Sequence, residues 1–399
     1  MTARPSATLR RILFLQINQY HPIALGAIAY ARQAGWALTF APAEGRTVAA
    51  LARHWDAEGV LIGGMPGGSD DVIRRSRRTP VPTVATTEQV QRAPRLASVL
   101  LDFRAGGRLV AEHLIDSGFR DLAYCWIGDL WPLNEQLAGF REAAEAAGVA
   151  LHVLDWPART GRDSASYSDT FRRWLAPKIA ELPKPLGLMV ESDWTGIEAV
   201  GALAGAGIVV PEQVAIVSCY NMEPICEGTS VPLSSVDMNW REQGYQVAAL
   251  LDRLLGGAAQ PTEPVWIRPK GVVVRQSSDV TAVPHPAVAE AMRIIRENFH
   301  DPELTIGRLA ARVGISTVSL NDAFKKYLSQ SPSERLRQVR LRGAMALLET
   351  TRLPVQQVAA AGGYGTVKQL IRAVKNATGL TPRAWRTQQQ AEMSEETGM

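Results

Sequence analysis

The chain has 399 residues, of which 46% are hydrophobic and 21% are charged. This length exceeds one ordinary domain, so two or three domains with separate cores are expected. No run approaches the roughly 18 apolar residues of a membrane span, which excludes a membrane-spanning protein. The cysteines Cys125, Cys219 and Cys226 show neither metal nor redox spacing, so a cytoplasmic location is predicted.

The formal net charge of +4 is distributed unevenly along the chain. Residues 285–386 contain 16 Lys+Arg against 7 Asp+Glu, a net of +9, whereas residues 1–284 contain 27 against 29, a net of −2. The segment after Arg386 adds three glutamates. This concentration of positive charge predicts a polyanionic partner for the C-terminal part and a different role for the remainder.

The first 280 residues alternate short apolar runs with amphipathic helical patterns. Runs such as "RILFLQI" (11–17), "GVLIGG" (59–64) and "VAIVSCY" (214–220) have the length and composition of buried strands. Between them, segments such as "RAGGRLVAEHLIDSG" predict helices that end in glycine. The alternation predicts parallel sheets covered on both faces, and the number of units predicts two similar lobes with a cleft between them.

The α/β pattern ends at "RPKGVVVRQSSDVTAVPHP", and only helical patterns follow. The predicted fold is therefore an α/β domain of two doubly wound lobes, followed by an all-α domain. We expect the α/β domain over 1–278, a linker over 279–287, the all-α domain over 288–388 and a disordered tail over 389–399.

The basic segment contains two related helix-turn-helix patterns. In "TIGRLAARVGISTVSLNDAFKKYL", Thr305 can cap a helix and Gly314 can supply the turn with positive φ. A second copy, "PVQQVAAAGGYGTVKQLIRAVKNAT", follows about 49 residues later. The connecting segment begins with Ser331 and Glu334 at capping-box spacing. Two such units on one rigid helix could enter major-groove faces about 34 Å apart.

These motifs resemble the DNA-binding domain of the arabinose-regulator (AraC) family. "LAARVGIS", "LNDAFKK", "VRLRGAMALL" and "GLTPRAWR" stand in that family's order and spacing over residues 288–386. Two positions depart from the family pattern, namely Ser329 in place of Gly and Val374 in place of Phe. The resemblance implies a double-stranded DNA partner, with "TPRAW" packed against the second unit and with Arg383 and Arg386 near phosphates.

The resemblance assigns DNA contacts to the second helix of each unit. Asn321 suits adenine, and Lys368 or Arg372 suits guanine. Asp322 would accept from cytosine or, alternatively, pair with a lysine of its own helix. The candidate DNA-contacting residues are Thr317, Val318, Ser319, Asn321, Asp322, Lys325 and Lys326 in the first unit, and Thr366, Val367, Lys368, Gln369, Arg372, Lys375 and Arg383 in the second unit.

The first 280 residues resemble the sugar-binding core of the lactose-repressor (LacI) and periplasmic-binding-protein superfamily. "DFRAGGRLVAEHLIDSGFRDLAYCWI", "GIEAVGALAGAGIVVPEQVAIVSCY" and "PLSSVDMNWREQGYQVAALLDRLLGG" carry the likeness. It implies a small-molecule effector in the cleft at the carboxyl ends of the strands, with a carbohydrate such as a pentose expected. The candidate effector residues are Asn18, Tyr20, His21, Asp102, Trp131, Arg141, Asp193, Trp194, Asn221 and Glu223.

One alternative role and two departures from the family pattern accompany this assignment. Asp193 could cap the helix that begins near Trp194 instead of binding ligand. Tyr220 precedes Asn221 where this arrangement usually has Asp, and "YHP" follows the first strand in place of a charged pattern. The effector could therefore be another sugar, a sugar acid or an unrelated small molecule.

The prediction is a transcriptional regulator that senses a small molecule and controls genes for its uptake or catabolism. A homodimer is expected, with RNA polymerase as a further candidate partner and with no cofactor or metal. The alternative is a sugar-binding protein with a helical dimerisation module. An enzyme is not expected, because phosphate-loop, GxSxG and HExxH motifs are missing from the sequence.

Overall fold

The computed structural model describes residues 9–16, 21–42, 47–63, 79–86, 96–128, 130–156, 164–280, 282–283, 285–328 and 330–387. The predicted tail at 389–399 lies outside the described residues, as does Ser329.

Two six-stranded sheets form the first part of the chain. The first sheet has the order β11-β5-β4-β3-β1-β2 and is parallel throughout. The second has the order β12-β10-β9-β8-β6-β7 and is parallel except for β12. The strands are β1 (Arg10–Gln16), β2 (Trp36–Pro42), β3 (Gly59–Gly63), β4 (Thr83–Ala85), β5 (Ala97–Leu101), β6 (Asp121–Trp126), β7 (Ala150–Asp155), β8 (Leu186–Val190), β9 (Val214–Cys219), β10 (Ser234–Asp237), β11 (Val265–Ile267) and β12 (Gly271–Val273).

Helices cover these sheets, which confirms the predicted α/β class with two lobes. Strands such as β3, β8 and β9 are buried along their whole length because both faces are covered, as their continuous apolar sequences predict. The helices of this part are α1 (His21–Ala34), α2 (Val48–His54), α3 (Phe103–Asp116), α4 (Trp131–Ala146), α5 (Ser164–Ala180), α6 (Asp193–Gly205), α7 (Glu223–Glu227) and α8 (Trp240–Leu255).

The chain crosses between the two sheets three times, after β5, after β10 and after β11. The first crossover leads through Asp102 into α3, and the second leads through Asn239 into α8. The third is the short segment 268–270 between β11 and β12. Because these three crossovers are the covalent connections between the lobes, any movement of one lobe against the other must change their backbone conformation.

Glycines bring two helix pairs into backbone contact. A Cβ on Gly107 of α3 would lie 1.9 Å from the carbonyl oxygen of Gln136 in α4, and Gly139 of α4 faces an α3 carbonyl at the same distance. The same reciprocal arrangement joins α1 to α8 through Gly26 and Gly244. Each pair therefore depends on two residues without a side chain, since any larger residue would separate the helices.

The C-terminal part is entirely helical within the described residues, and each helix-turn-helix unit has its own apolar core. Leu309, Leu320 and Phe324 are buried in the first unit, and Leu370 and Val374 in the second. The helices are α9 (Pro286–Asn298), α10 (Ile306–Arg312), α11 (Thr317–Leu328), α12 (Pro332–Thr350), α13 (Val355–Ala361) and α14 (Val367–Thr378), followed by a helical turn at 382–387.

Local sequence signals fix the ends of these helices as predicted. The Thr305 side chain caps α10, and Gly314 adopts a φ of +73° in the first turn. Ser331 and Glu334 form both hydrogen bonds of a capping box at the start of α12. Since α9 begins at Pro286, it takes up the end of the segment expected as linker.

We predict that Gly107→Ala destabilises the first part of the chain by about 3 kcal/mol, because the added methyl group must push α4 away from α3. Chemical unfolding followed by circular dichroism measures this change. Gly205→Ala is the matched control, since a Cβ at this helical position meets nothing within 4 Å and should stabilise slightly. Equal effects of the two substitutions would contradict the close-contact explanation.

Candidate nucleic-acid interface and effector pocket

The second helices of the two units, α11 and α14, align through their N-caps and their buried faces. The hydroxyls of Ser316 and Thr366 accept from the backbone N–H three residues later, at 3.0 and 3.3 Å. Leu320 and Leu370 then occupy equivalent buried positions. The turn glycines are 49 residues apart, as the sequence indicates, whereas the helices are 50 residues apart because the second turn contains one residue more.

Most of the predicted DNA-contacting side chains are exposed on these two helices. Asn321 and Val367 are half-buried, and Val367 packs against the core of the second unit. The exposed candidates are Thr317, Val318, Ser319, Asp322, Lys325 and Lys326 in the first unit, and Thr366, Lys368, Gln369, Arg372, Lys375 and Arg383 in the second. Their contacts with DNA stay predictions.

The two exposed faces differ in charge. In the first unit, Asp322 accompanies Lys325 and Lys326 and forms no salt bridge with either lysine in this part of the structure. The ion pair considered from the sequence is therefore not formed. The second face carries Lys368 and Arg372, and Lys375 follows one turn later. The helix α14 contains no acidic residue. The second unit thus presents the more favourable surface to a polyanion.

Two polar side chains are already engaged by backbone. Asn321 Nδ2 donates to the Thr317 carbonyl at 2.9 Å, so a bidentate contact with adenine requires this bond to open. Arg386 donates to the carbonyls of Leu348 and Leu353 at 3.3 and 2.6 Å. The expectation that Arg386 lies near phosphate is therefore not supported, because its guanidinium joins the chain end to α12 and the following loop. Of Arg383 and Arg386, only Arg383 is exposed.

The segment "GLTPRAWR" closes the second unit, as the resemblance implied. Gly379 adopts a φ of +77° at the end of α14, and the half-buried Trp385 packs against the second core. Its indole nitrogen is buried without a hydrogen-bond partner within the described residues, which indicates that the ring contributes through apolar packing.

In the effector domain, a pocket of about 230 Å³ lies at the crossovers between the lobes. It brings together two residues predicted from the sequence, Asp102 and Trp131. The ring of Trp131 lies 6.0 Å from that of Trp266 and 6.0 Å from that of Phe103. The lining residues are Asp102, Phe103, Arg104, Trp131, Glu135, Trp266 and Arg268.

The pocket combines aromatic faces with charged side chains. Arg104 pairs with Glu142 and lies 3.7 Å from Glu135, while Asp102 accepts from the Ala105 backbone at 2.8 Å and caps α3. Aromatic faces suit the C–H surfaces of a ring, and carboxylates and guanidiniums suit its hydroxyl groups. Trp266 could not be identified from the sequence, because it lies on β11, 135 residues beyond Trp131 of α4.

Asp193 is placed differently from both expectations. Ser192, rather than Asp193, caps α6. The buried Asp193 carboxylate accepts from Ser218 and Ser235 at 2.5 and 2.6 Å, and from the Met222 N–H at 2.6 Å. Burial raises the pKa of Asp193, and these hydrogen bonds oppose that shift. The side chain therefore ties α6 to the ends of β9 and β10.

Among the described residues, the other effector candidates do not line this pocket. Trp194 is 59% exposed, and Arg141 and Glu223 are also exposed. Asn221 accepts from Arg275 Nη2 at 2.9 Å. Asn18, Tyr20 and the side chain of His21 lie outside the described part of the chain. A role for these residues in effector binding stays a prediction.

Tyr220 belongs to a row of aromatic rings across the crossovers. Its backbone has a φ of 102°, and its ring lies 6.3 Å from Phe103 and 5.4 Å from Trp240. Trp240 Nε1 donates to the Tyr220 carbonyl at 3.1 Å. With Trp131 and Trp266, these rings connect segments of both lobes. A tyrosine here supplies packing where a carboxylate was expected.

The two halves of the chain meet at the C-terminal end of α3. Arg335 of α12 donates to the Asp116 carboxylate at 2.7 Å and to its carbonyl at 2.6 Å, with 7% of the Arg335 side chain exposed. Arg342 pairs with the same carboxylate and lies 3.8 Å from Glu112. Burial lowers the pKa of Arg335 to about 10, so at neutral pH it is a buried cation that depends on Asp116.

Further contacts reinforce this boundary. His113 of α3 is bonded to the Ser278 hydroxyl at 2.8 Å, and burial together with nearby arginines lowers the pKa of His113 to about 3. Arg296 of α9 pairs with Asp279 at 2.5 Å. The helix that begins at the pocket therefore ends against the helical domain.

Similarity to known proteins accounts for both halves. Residues 111–278 match the family described as periplasmic binding protein-like domain. Residues 309–388 match the family described as helix-turn-helix domain. The chain carries a periplasmic binding protein-like domain followed by a helix-turn-helix domain. In the parts that the structure describes, none of its helices could cross a membrane, and no cluster of His, Cys, Asp or Glu could hold a metal ion.

Relatives and solved structures are similar to this chain over different shares of its length. The xylose operon regulatory protein of Escherichia coli K12 is 29% identical over 53% of this chain and 54% of its own length. The xylose operon regulatory protein of Haemophilus influenzae is 24% identical over 82% of this chain and 85% of its own length. The structure of the xylose-binding transcription activator xylR has a TM-score of 0.58 at 22% identity, covering 95% of this chain and 98% of that one. These names describe regulators rather than enzymes, and the alignment spans about half the length of the first relative.

We predict that Asp116→Asn lowers the free energy of unfolding by about 3–5 kcal/mol, because it leaves Arg335 buried without a counter-charge. Urea unfolding measures the loss. Asp56→Asn is the matched control, since its pair with Arg11 is largely exposed and should contribute little. Arg335→Met in the Asp116→Asn background should recover stability, and failure of this rescue would contradict the explanation.

Proposed function

We propose that this chain is a sequence-specific transcriptional regulator whose affinity for DNA depends on a small-molecule effector, expected to be a carbohydrate. The observation that carries the proposal is the attachment of two helix-turn-helix units to the two-lobed domain through the buried Arg335–Asp116 contact. The regulators among its relatives support the same reading. It would act in the cytoplasm on genes for uptake or catabolism of the effector.

The helix α3 supplies a route from effector to DNA. Its first residues, with the Asp102 cap, line the pocket, and its last residue holds Arg335. Fourteen helical residues span about 21 Å, and the glycine contacts with α4 leave little room for bending. An effector that moves the first turn of α3 would therefore change the position of α12. The required difference in affinity between the two states is typically about 1–3 kcal/mol.

A homodimer and an interaction with RNA polymerase are part of the proposal. Two subunits would present four helix-turn-helix units to tandem sites, and the dimer follows by analogy with the fold family. The alternative, a sugar-binding protein with a helical dimerisation module, does not account for the exposed cations on α11 and α14, which we call the recognition helices. An apolar dimerisation face would be expected in that case.

DNA binding is tested first by its salt dependence. The logarithm of the association constant should fall against the logarithm of the salt concentration with a slope of about −4 or steeper, as for four or more phosphate contacts. Arg372→Ala should cost about 1–3 kcal/mol and relax base preference at one position. Arg293→Ala is the control, since two glutamates already pair with Arg293. A flat salt response would overturn the DNA assignment.

The effector is tested by thermal shift with pentoses, hexoses, deoxysugars and sugar acids. A ligand at 100 times its dissociation constant should stabilise the protein by about 2.7 kcal/mol. Trp131→Ala should abolish the shift because it removes one wall of the pocket. Trp55→Ala, at an exposed tryptophan of the first lobe, should retain the shift. No response to the whole panel would exclude these carbohydrates as effectors.

A further inference from the structure

Each recognition helix exposes one aliphatic side chain that its own core does not need. Val318 of α11 is 68% exposed, the largest exposed fraction among the large hydrophobic residues in the described ranges, and Ile371 of α14 is 38% exposed. Neither belongs to the apolar core of its unit. A partner that buries these side chains would therefore gain binding free energy without disturbing the fold.

The two side chains occupy different positions when the helices are aligned. With Ser316 and Thr366 as equivalent N-caps, Val318 stands at the second position of α11, where α14 has Lys368. Ile371 stands at the fifth position of α14, where α11 has Asn321. Along α11 the apolar Val318 thus precedes the polar Asn321, whereas along α14 the charged Lys368 precedes the apolar Ile371.

The surroundings favour DNA over an apolar protein surface as the partner. Thr317 and Ser319 flank Val318 on the exposed face, and Lys368 and Arg372 flank Ile371. An isolated aliphatic group among hydroxyls and cations does not form a continuous apolar patch. Within the major groove, the corresponding apolar feature is the C5-methyl group of thymine, which distinguishes this base.

We propose that Val318 and Ile371 each recognise the methyl group of a thymine, one in each half of a tandem operator. This inference rests on the proposed function and names the bases that each unit reads. Positions two and five of a helix are about 4.5 Å apart along its axis, slightly more than the 3.4 Å rise of one base pair. The thymine is therefore adjacent to the base read by Asn321 in one half and to that read by Lys368 in the other.

The reversed order has a consequence for the operator. The thymine lies on opposite sides of the polar contact in the two halves, so the half-sites are similar in spacing and different in sequence. Val367, a DNA-contacting candidate from the sequence, packs against the second core. Ile371 takes the exposed apolar position that the sequence pattern did not single out.

The test begins with selection of a binding site from random duplex DNA by the full-length protein. Each thymine of the selected site is then replaced by deoxyuridine, which removes the methyl group and retains Watson–Crick pairing. We expect one position in each half to lose about fourfold in affinity, equivalent to the ~0.8 kcal/mol of one buried methylene-sized group. Fluorescence anisotropy at fixed salt measures the change.

Variants then assign each methyl group to a residue. In Val318→Ala, deoxyuridine at the first-half position should have no further effect, while the second-half position keeps its fourfold loss. Ile371→Ala should give the reverse pattern. Val209→Ala, an exposed valine of the effector domain, should leave both losses unchanged. Unaltered melting temperatures of the variants exclude loss of folding as the cause.

The outcomes separate this inference from the function on which it rests. A selected site that tolerates deoxyuridine at every position would overturn methyl recognition and retain specific DNA binding. Sensitivity that persists in both variants would assign the methyl contacts to other residues and would equally overturn the proposal. Failure to enrich any sequence would instead count against the proposed function itself.

Discussion

The buried guanidinium of Arg335 determines how the two halves of this protein are joined. A cation with 7% of its side chain exposed is stable only where a carboxylate and a carbonyl satisfy it, and Asp116 supplies both. Because that pairing fixes α12 against the end of α3, it fixes the rigid helix that carries both helix-turn-helix units. A movement of α3 would therefore move both helix-turn-helix units, which is the coupling that the proposed function requires.

The opposite end of α3 lies where the lobes are connected. Its cap and first residues line the pocket, and Phe103 stands between Trp131 and Tyr220 in the row of aromatic rings. The glycine-mediated contact of α3 with α4 allows no separation of the two helices. The structure thus combines an aromatic start of the helix with a closely packed body and a charged end.

The two helices proposed to contact DNA, α11 and α14, are built on one scaffold and differ in their chemistry. Both helices share an N-cap and a buried leucine, yet Asp322 of α11 is replaced by Arg372 in α14, and the half-buried Asn321 is replaced by the exposed Ile371. Under the proposed function, such differences suit recognition of two unlike half-sites. Under the proposed function, the stronger positive charge of the second unit would contribute more to non-specific affinity for DNA.

The sequence by itself determined the features that depend on neighbouring residues. Strand and helix periodicity, the Ser331–Glu334 capping box, the Gly314 turn and the concentration of charge are local, so they predicted two α/β lobes and two helix-turn-helix units. Only the tertiary structure decided the pairing of Trp131 with Trp266, the engagement of Asp193 by serines and the Arg335–Asp116 contact across 219 positions. These depend on which crossovers bring distant segments together, and no local pattern encodes such distances.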